Sequence, residues 1–182
     1  MTEQTIQEAC QYLTFKLADE VFALDVAKVR EILEYSKITK VPKTAEFLLG
    51  VINVRGSVVP VIDMRLRLGL SSVTPTVDTC IVVLEISIEG ETVIVGALVD
   101  SVQEVFELES QMIEPAPRIG TRWKTEFIDG LGKRDDSFIM ILNIEKLIAS
   151  QETAFFSEIE AAASQAPSLP EIGDAQGAAV VP

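Results

Sequence analysis

The sequence predicts a mainly β fold built as two small, related barrels side by side. Three observations carry this. Short apolar runs rich in β-branched residues recur between turn residues. The chain repeats itself: FLLGVINVRGSVVPVIDMRLRL (residues 47–68) aligns without a gap with FIDGLGKRDDSFIMILNIEKLI (residues 127–148). Finally, five or so short strands per repeat would leave exposed edges unless each sheet curled on itself.

The elements follow in order. Residues 12–16 and 21–24 are strand-like runs around the turn Ala18-Asp19-Glu20. Residues 81–88 and 92–99 are their counterparts, around Glu89-Gly90-Glu91. Each pair ends alike, in Val29-Arg30-Glu31-Ile32 and in Val102-Gln103-Glu104-Val105. Val26, Val29 and Ile32 are spaced by three, which predicts one helical turn presenting all three together. Gly56-Ser57 and Asp135-Asp136 are expected hairpin turns. Each closing strand runs into an expected N-cap, Asp63 or Asn143, the matching positions of the repeat. The first helix, residues 64–68, stops at Gly69. In the second, Ile144, Leu147, Ile148, Phe155, Ile159 and Ala162 share a face, so it is expected to run through 151–163.

The expected domain is residues 12–150, with barrel halves of 12–70 and 79–150. Residues 73–78, with Pro75, link them. Residues 164–182 hold Pro167, Pro170, Gly173 and Gly177 with few large apolar neighbours, and are expected to be a disordered tail. Trp123, in GTRWKTEF, is expected to anchor packing.

Composition narrows function. The 182 residues carry a formal net charge of -13, of which the stretch from Gln151 supplies -5 and the body -8. Such a body does not suit a phosphate backbone or an anionic membrane surface. There is no His, so the commonest general base and metal ligand is missing. Cys10 and Cys80 make no disulfide framework, which points to a reducing, cytosolic compartment. The first ten residues, with Glu3 and Glu8, do not read as a signal peptide, and no apolar run approaches membrane-span length. Neither thiol has a base beside it in the sequence, carboxylates are scattered, and Gly130-Leu131-Gly132 is too little for a phosphate loop. No catalytic residue, cofactor or metal is therefore expected. What stands out is Arg55, Arg65 and Arg67, close together in an acidic chain with Asp63 against them. They suit a binding patch. On the residues alone, a solvated hairpin tip and helix face is the favoured account of them.

At this stretch the chain resembles a known family. GVINVRGSVVPVIDMR is similar to the signature of the CheW-like family, the adaptors that couple chemoreceptors to the CheA kinase. FKLADEVFALDVAKVREI, VGALVDSVQEV, MIEPAP and the second repeat resemble other parts of that family, so the likeness covers about residues 12–150. It implies two five-stranded SH3-like barrels with a groove between them. It also implies a non-enzymatic scaffold that binds the regulatory domain of a CheA-type histidine kinase and the cytoplasmic tip of chemoreceptors. The protein would be cytoplasmic and recruited to membrane receptor arrays, with no nucleic acid and no membrane insertion. Carried over by position, the contact candidates are Val26, Val29, Glu31, Ile32, Gly50, Arg55, Gly96 and Val99. Two other readings remain open. One is a same-fold adaptor of another chemosensory pathway, for surface motility or gene control. The other is an oligonucleotide-binding barrel pair, which the charge and the 6% aromatic content disfavour.

Overall fold

The computed structural model describes residues 9–42, 46–88, 90–115, 127–149 and 178–179. The chain opens with the hairpin β1 (Cys10–Leu17) and β2 (Glu20–Asp25), a 3-10 turn (Val26–Lys28) and β3 (Val29–Glu34). The hairpin β4 (Leu48–Val54) and β5 (Ser57–Asp63) follows, then α1 (Met64–Arg67). The pattern recurs as β6 (Cys80–Ile88), β7 (Glu91–Val99), β8 (Ser101–Leu108) and β9 (Ile113–Glu114). It continues as β10 (Ile128–Arg134), β11 (Ser137–Leu142) and α2 (Ile144–Ala149), and β12 (Ala178–Ala179) comes last. The fold is mainly β, as expected.

Two sheets form, in the orders β8-β1-β2-β11-β10-β9 and β12-β3-β6-β7-β5-β4. Each has five principal strands and one two-residue strand. Neither is a sequence half. The opening hairpin β1–β2 joins strands of the second repeat, through the parallel pair Met140 with Phe22. The hairpin β6–β7 joins strands of the first, through the parallel pair Val61 with Gly96. Two short joints make the exchange possible. After β2, Asp25 accepts from Ala27 N–H at 2.9 Å and tightens the 3-10 turn. After β7, Asp100 N–H bonds Lys16 O at 3.0 Å before β8 begins.

The central strands β5 and β6 are covered on both faces over much of their length and read there as nearly continuous apolar runs. On β6, Val82, Leu84 and Ile86 face a core shared between the sheets, together with Phe15, Phe22, Phe127 and Leu147. Ile81 and Val83 face the opposite way, into a smaller cluster with Leu33, Ile52, Val59 and Val61. The other sheet has its own small cluster of Ala23, Leu108, Ile139 and Ile141. Period-two alternation thus feeds two cores from one strand.

The caps lie where expected. Asp63 Oδ1 accepts from Arg65 N–H at 2.9 Å, and Asn143 Oδ1 from Lys146 N–H at 3.0 Å. Gly69, at φ +84°, follows α1. The first hairpin turn lies one residue earlier than expected: it is Arg55-Gly56, at φ +52° and +86°, with Ser57 already in β5. Two positive φ values match the twist of the flanking strands better than a turn at Gly56-Ser57 would. The helical turn expected to carry Val26, Val29 and Ile32 ends at Lys28, and Val29 opens β3. Of residues 164–182, expected to be disordered, Ala178–Ala179 are described, and they form β12 on β3. Main-chain pairing needs no large apolar side chain, which is the signal that stretch lacks. Trp123, residues 151–163 and the rest of the tail lie outside the described residues. No described helix is long and apolar enough to cross a membrane.

Candidate functional site

β3 carries an irregularity that decides which side chains it shows. Val29 pairs with Leu84 and Glu31 with Val83, so two steps on β3 match one on β6. This bulge inserts Arg30 and lets both Val29 and Ile32, three residues apart, pack on the shared core. Glu31 then turns to the other face, at the mouth of the smaller cluster.

There Glu31 meets Arg55 from the β4–β5 turn. Arg55 Nη2 lies 3.4 Å from Glu31 Oε2. The glutamate side chain is 11% exposed and the arginine 73% exposed. A nearly buried carboxylate thus has its countercharge on a side chain that solvent and partners can reach. Asn53 Oδ1 accepts from Gly56 N–H at 2.9 Å and fixes the turn that presents Arg55. The pair borders a cleft of about 290 Å³ floored by Val59, Val83 and Ile94. Arg30 stands on its rim, 3.3 Å from Glu85.

The remaining candidates have other surroundings. Gly50, at φ +146°, is buried where Thr39 and Val51 exchange main-chain bonds of 3.0 and 2.8 Å. A Cβ there would overlap the Thr39 carbonyl oxygen. Its repeat counterpart Gly130 admits the Glu114 carbonyl in the same way. Gly96 is packed under Ile81 and Val61, and Val99 is buried in the shared core. Val26, in the 3-10 turn, is half-buried. Of the eight, Glu31 and Arg55 meet at a solvent-facing mouth.

The arginine cluster divides. Arg65 is largely buried and grips Asp100, its Nε 2.7 Å from Oδ1. Burial pushes the Asp100 carboxyl up, but bonds from Arg65 and from Ala18 N–H outweigh it and hold it below the usual carboxylate range. Burial raises the Asp63 carboxyl, although the Leu66 and Arg65 N–H groups pull the other way. Arg67 donates from Nε to Leu147 O at 2.8 Å and lies over Phe47 and Phe127, 5.1 and 5.2 Å from their ring centroids. Two of the three arginines therefore hold the fold, and Arg55 is the one shown to solvent.

Sequence reasoning missed a second mouth. In the other sheet Arg134 pairs with Glu104 and lies 4.9 Å over the Phe106 ring. They border a cleft of about 480 Å³ with Phe138, which is 54% exposed. The repeat alignment had matched Glu104 to Glu31. It concealed the arginine, because Arg55 aligns with Asp135, one residue after Arg134. Burial pushes the Cys80 thiol up, away from the thiolate a nucleophile needs. What the arrangement offers is recognition by shape and charge.

Known proteins resemble this chain over most of its length. The family model described as CheW-like domain matches residues 11–152. A chemotaxis protein CheW from Klebsiella aerogenes is 35% identical over 149 residues, covering 82% of this chain and 87% of that protein. One from Thermotoga maritima is 32% identical, covering 76% and 87%. The crystal structure of the scaffolding protein TtCheW from Thermoanaerobacter tengcongensis superposes with a TM-score of 0.70 at 35% identity, covering 81% of this chain and 96% of that one.

Proposed function

Since the chain belongs to the CheW-like domain family, we propose that it is a non-enzymatic scaffold that couples chemoreceptors to a CheA-type histidine kinase in bacterial chemotaxis. The observation that carries this reading is the family match across nearly the whole folded body, with the five principal strands of each sheet inside it but for Cys10. The Glu31–Arg55 mouth fits the receptor side of the role. It sets a charged pair beside an apolar floor, so a helical tip could bury aliphatic side chains while polar groups fix its register. The kinase's regulatory domain is the second partner, and the protein works in the cytoplasm at receptor arrays.

The test is co-purification. Tagged protein, in extract of a cell that makes a CheA-type kinase and chemoreceptors, should retain both. In a reconstituted mixture it should raise kinase autophosphorylation in the presence of receptor. Retention of neither partner would overturn the reading. Retention of a kinase from a surface-motility or gene-control pathway would reassign the pathway and keep the scaffold role.

A further inference from the structure

The chain crosses between the sheets at two joints, and an ion pair ties each joint to a helix. The turn Val26–Lys28 leads from β2 to β3, and Lys28 Nζ lies 3.1 Å from Glu145 Oε1 of α2. The joint at Asp100 leads from β7 to β8, and Asp100 holds Arg65 of α1. Each crossing is thus tied to the helix that follows the closing strand of the sheet it leaves. Arg65 and Glu145 are counterparts in the repeat, each the second residue of its helix. The repeats keep the tie and reverse its polarity.

The two ties differ in strength. Arg65 reaches both oxygens of Asp100, with Nε 2.7 Å from Oδ1, and the pair is largely buried. Two-point contact between a guanidinium and a carboxylate is among the stronger charged contacts. Asp100 also accepts from Ala18 N–H at 2.8 Å, and its own N–H bonds Lys16 O at 3.0 Å. Ala18 sits at φ +57°, uncommon for a residue with a side chain, and this bond helps to hold it there. At the first crossing Lys28 and Glu145 meet through one atom each, and their side chains are 29% and 38% exposed. Solvent and salt weaken such a pair. The bonds from Ala27 N–H to Asp25 Oδ1 and from Val29 N–H to Val26 O stay within the turn and its caps. A 3-10 turn also bonds with poorer geometry than an α-helix.

We propose that the Lys28–Glu145 pair is a latch on the weaker of the two crossings: when it releases, the turn Val26–Lys28 opens locally while the Asp100 crossing stays closed. The body then has one yielding seam between its sheets. Val29, which packs on the shared core, follows that turn directly. Opening there loosens the core on one side without separating the sheets. The inference concerns the chain alone and holds with or without a receptor or kinase.

Native-state hydrogen exchange on the full-length protein tests it, with wild type, K28E and the double variant K28E/E145K. Val29 N–H reads the first crossing and Asp100 N–H the second. In wild type, Val29 should be at least about tenfold less protected than Asp100, with little dependence on denaturant, as local opening requires. K28E sets a carboxylate against Glu145 and should speed Val29 roughly fivefold while leaving Asp100 unchanged. The double swap should return Val29 to near its wild-type rate, because residues in contact are coupled. Equal protection of the two amides in wild type would overturn the proposal. So would a K28E protein in which Val29 is unchanged, or in which both amides speed up alike, which is global destabilisation. A Val29 rate that stays high in the double swap would overturn it too, since the effect would then not come from the pair.

Discussion

A methyl group at Gly50 would overlap a carbonyl oxygen that two main-chain bonds hold in place, whereas at Gly96 its nearest neighbour would be Ile81 Cγ2 at 2.9 Å, a side-chain atom that can turn aside. Gly50→Ala should therefore cost about 3 kcal/mol, seen as a fall of roughly 6–12 °C in melting temperature. Gly96→Ala should cost about 1–2 kcal/mol. Equal losses in thermal melts would mean that the Thr39 segment yields. Glu31 and Arg55 make a different prediction. An exposed ion pair contributes only about 0–1 kcal/mol, but here one member is nearly buried. Arg55→Glu should leave that carboxylate facing a like charge, at a cost of about 1–3 kcal/mol, and should weaken receptor recruitment severalfold more than kinase binding. Glu31→Arg should do likewise. The double swap should recover part of both losses, because neighbours in contact are not additive. Receptor pull-downs with melting curves for the four proteins check this. Losses that simply add would separate the two residues.

The joint after β7 ties several elements through one carboxylate. Asp100 holds Arg65 of α1 and accepts from Ala18 N–H in the β1–β2 turn at 2.8 Å, while Arg65 reaches Ser71 O at 3.2 Å. Asp100→Asn should cost about 1.5–3 kcal/mol at neutral pH, because bonds to a charged group are lost. The pH dependence follows from the direction of its shift. A carboxyl held below its usual value stabilises the fold above the unfolded pKa, near 3.9, and loses that contribution as pH falls through the folded value. The gap between wild type and Asp100→Asn should thus narrow from pH 7 towards pH 3 in denaturant titrations. Asp63, raised by burial, has the opposite slope, and since the Asp100 charge adds to that rise, the subtraction removes it only in part. These elements also show what could be read from the sequence. Strands, helix starts and the α1 stop are local, set by alternation, caps and a glycine, and they were legible. The bulge at Arg30 and the mouth that Glu31 shares with Arg55 depend on register with β6, a strand distant in sequence. No local pattern shows which of three arginines is exposed.

Exchange of hairpins makes the halves interdependent. Residues 1–78 alone would hold β1–β2 without β8, β10 or β11, and β3 without β6. Each half should therefore be largely unstructured by circular dichroism when expressed separately, and an equimolar mixture should regain the β signal. The intact protein should unfold in one transition by both circular dichroism and calorimetry. A folded isolated half, or two separate transitions, would contradict the shared core. The sequence repeat had suggested self-contained halves because alignment records resemblance and says nothing about which strand pairs with which. The main chain nevertheless keeps the repeat closely: Asp63 N–H bonds Phe47 O at 2.7 Å, and Asn143 N–H bonds Phe127 O at 2.8 Å. Arg67 stands where the two copies meet, nearly equidistant from Phe47 and Phe127 and bonded to Leu147, its own partner in the alignment. A residue that touches its counterpart lies on the local twofold axis. Two identical chains assembled in this way would have to bring the same side chain to that axis twice, and a pair of arginines would repel. Joining both copies in one polypeptide removes that constraint: one side supplies a cation, the other a carbonyl and an aliphatic side chain. Leu147→Arg would restore the symmetry, and it should be among the most damaging single changes in the molecule.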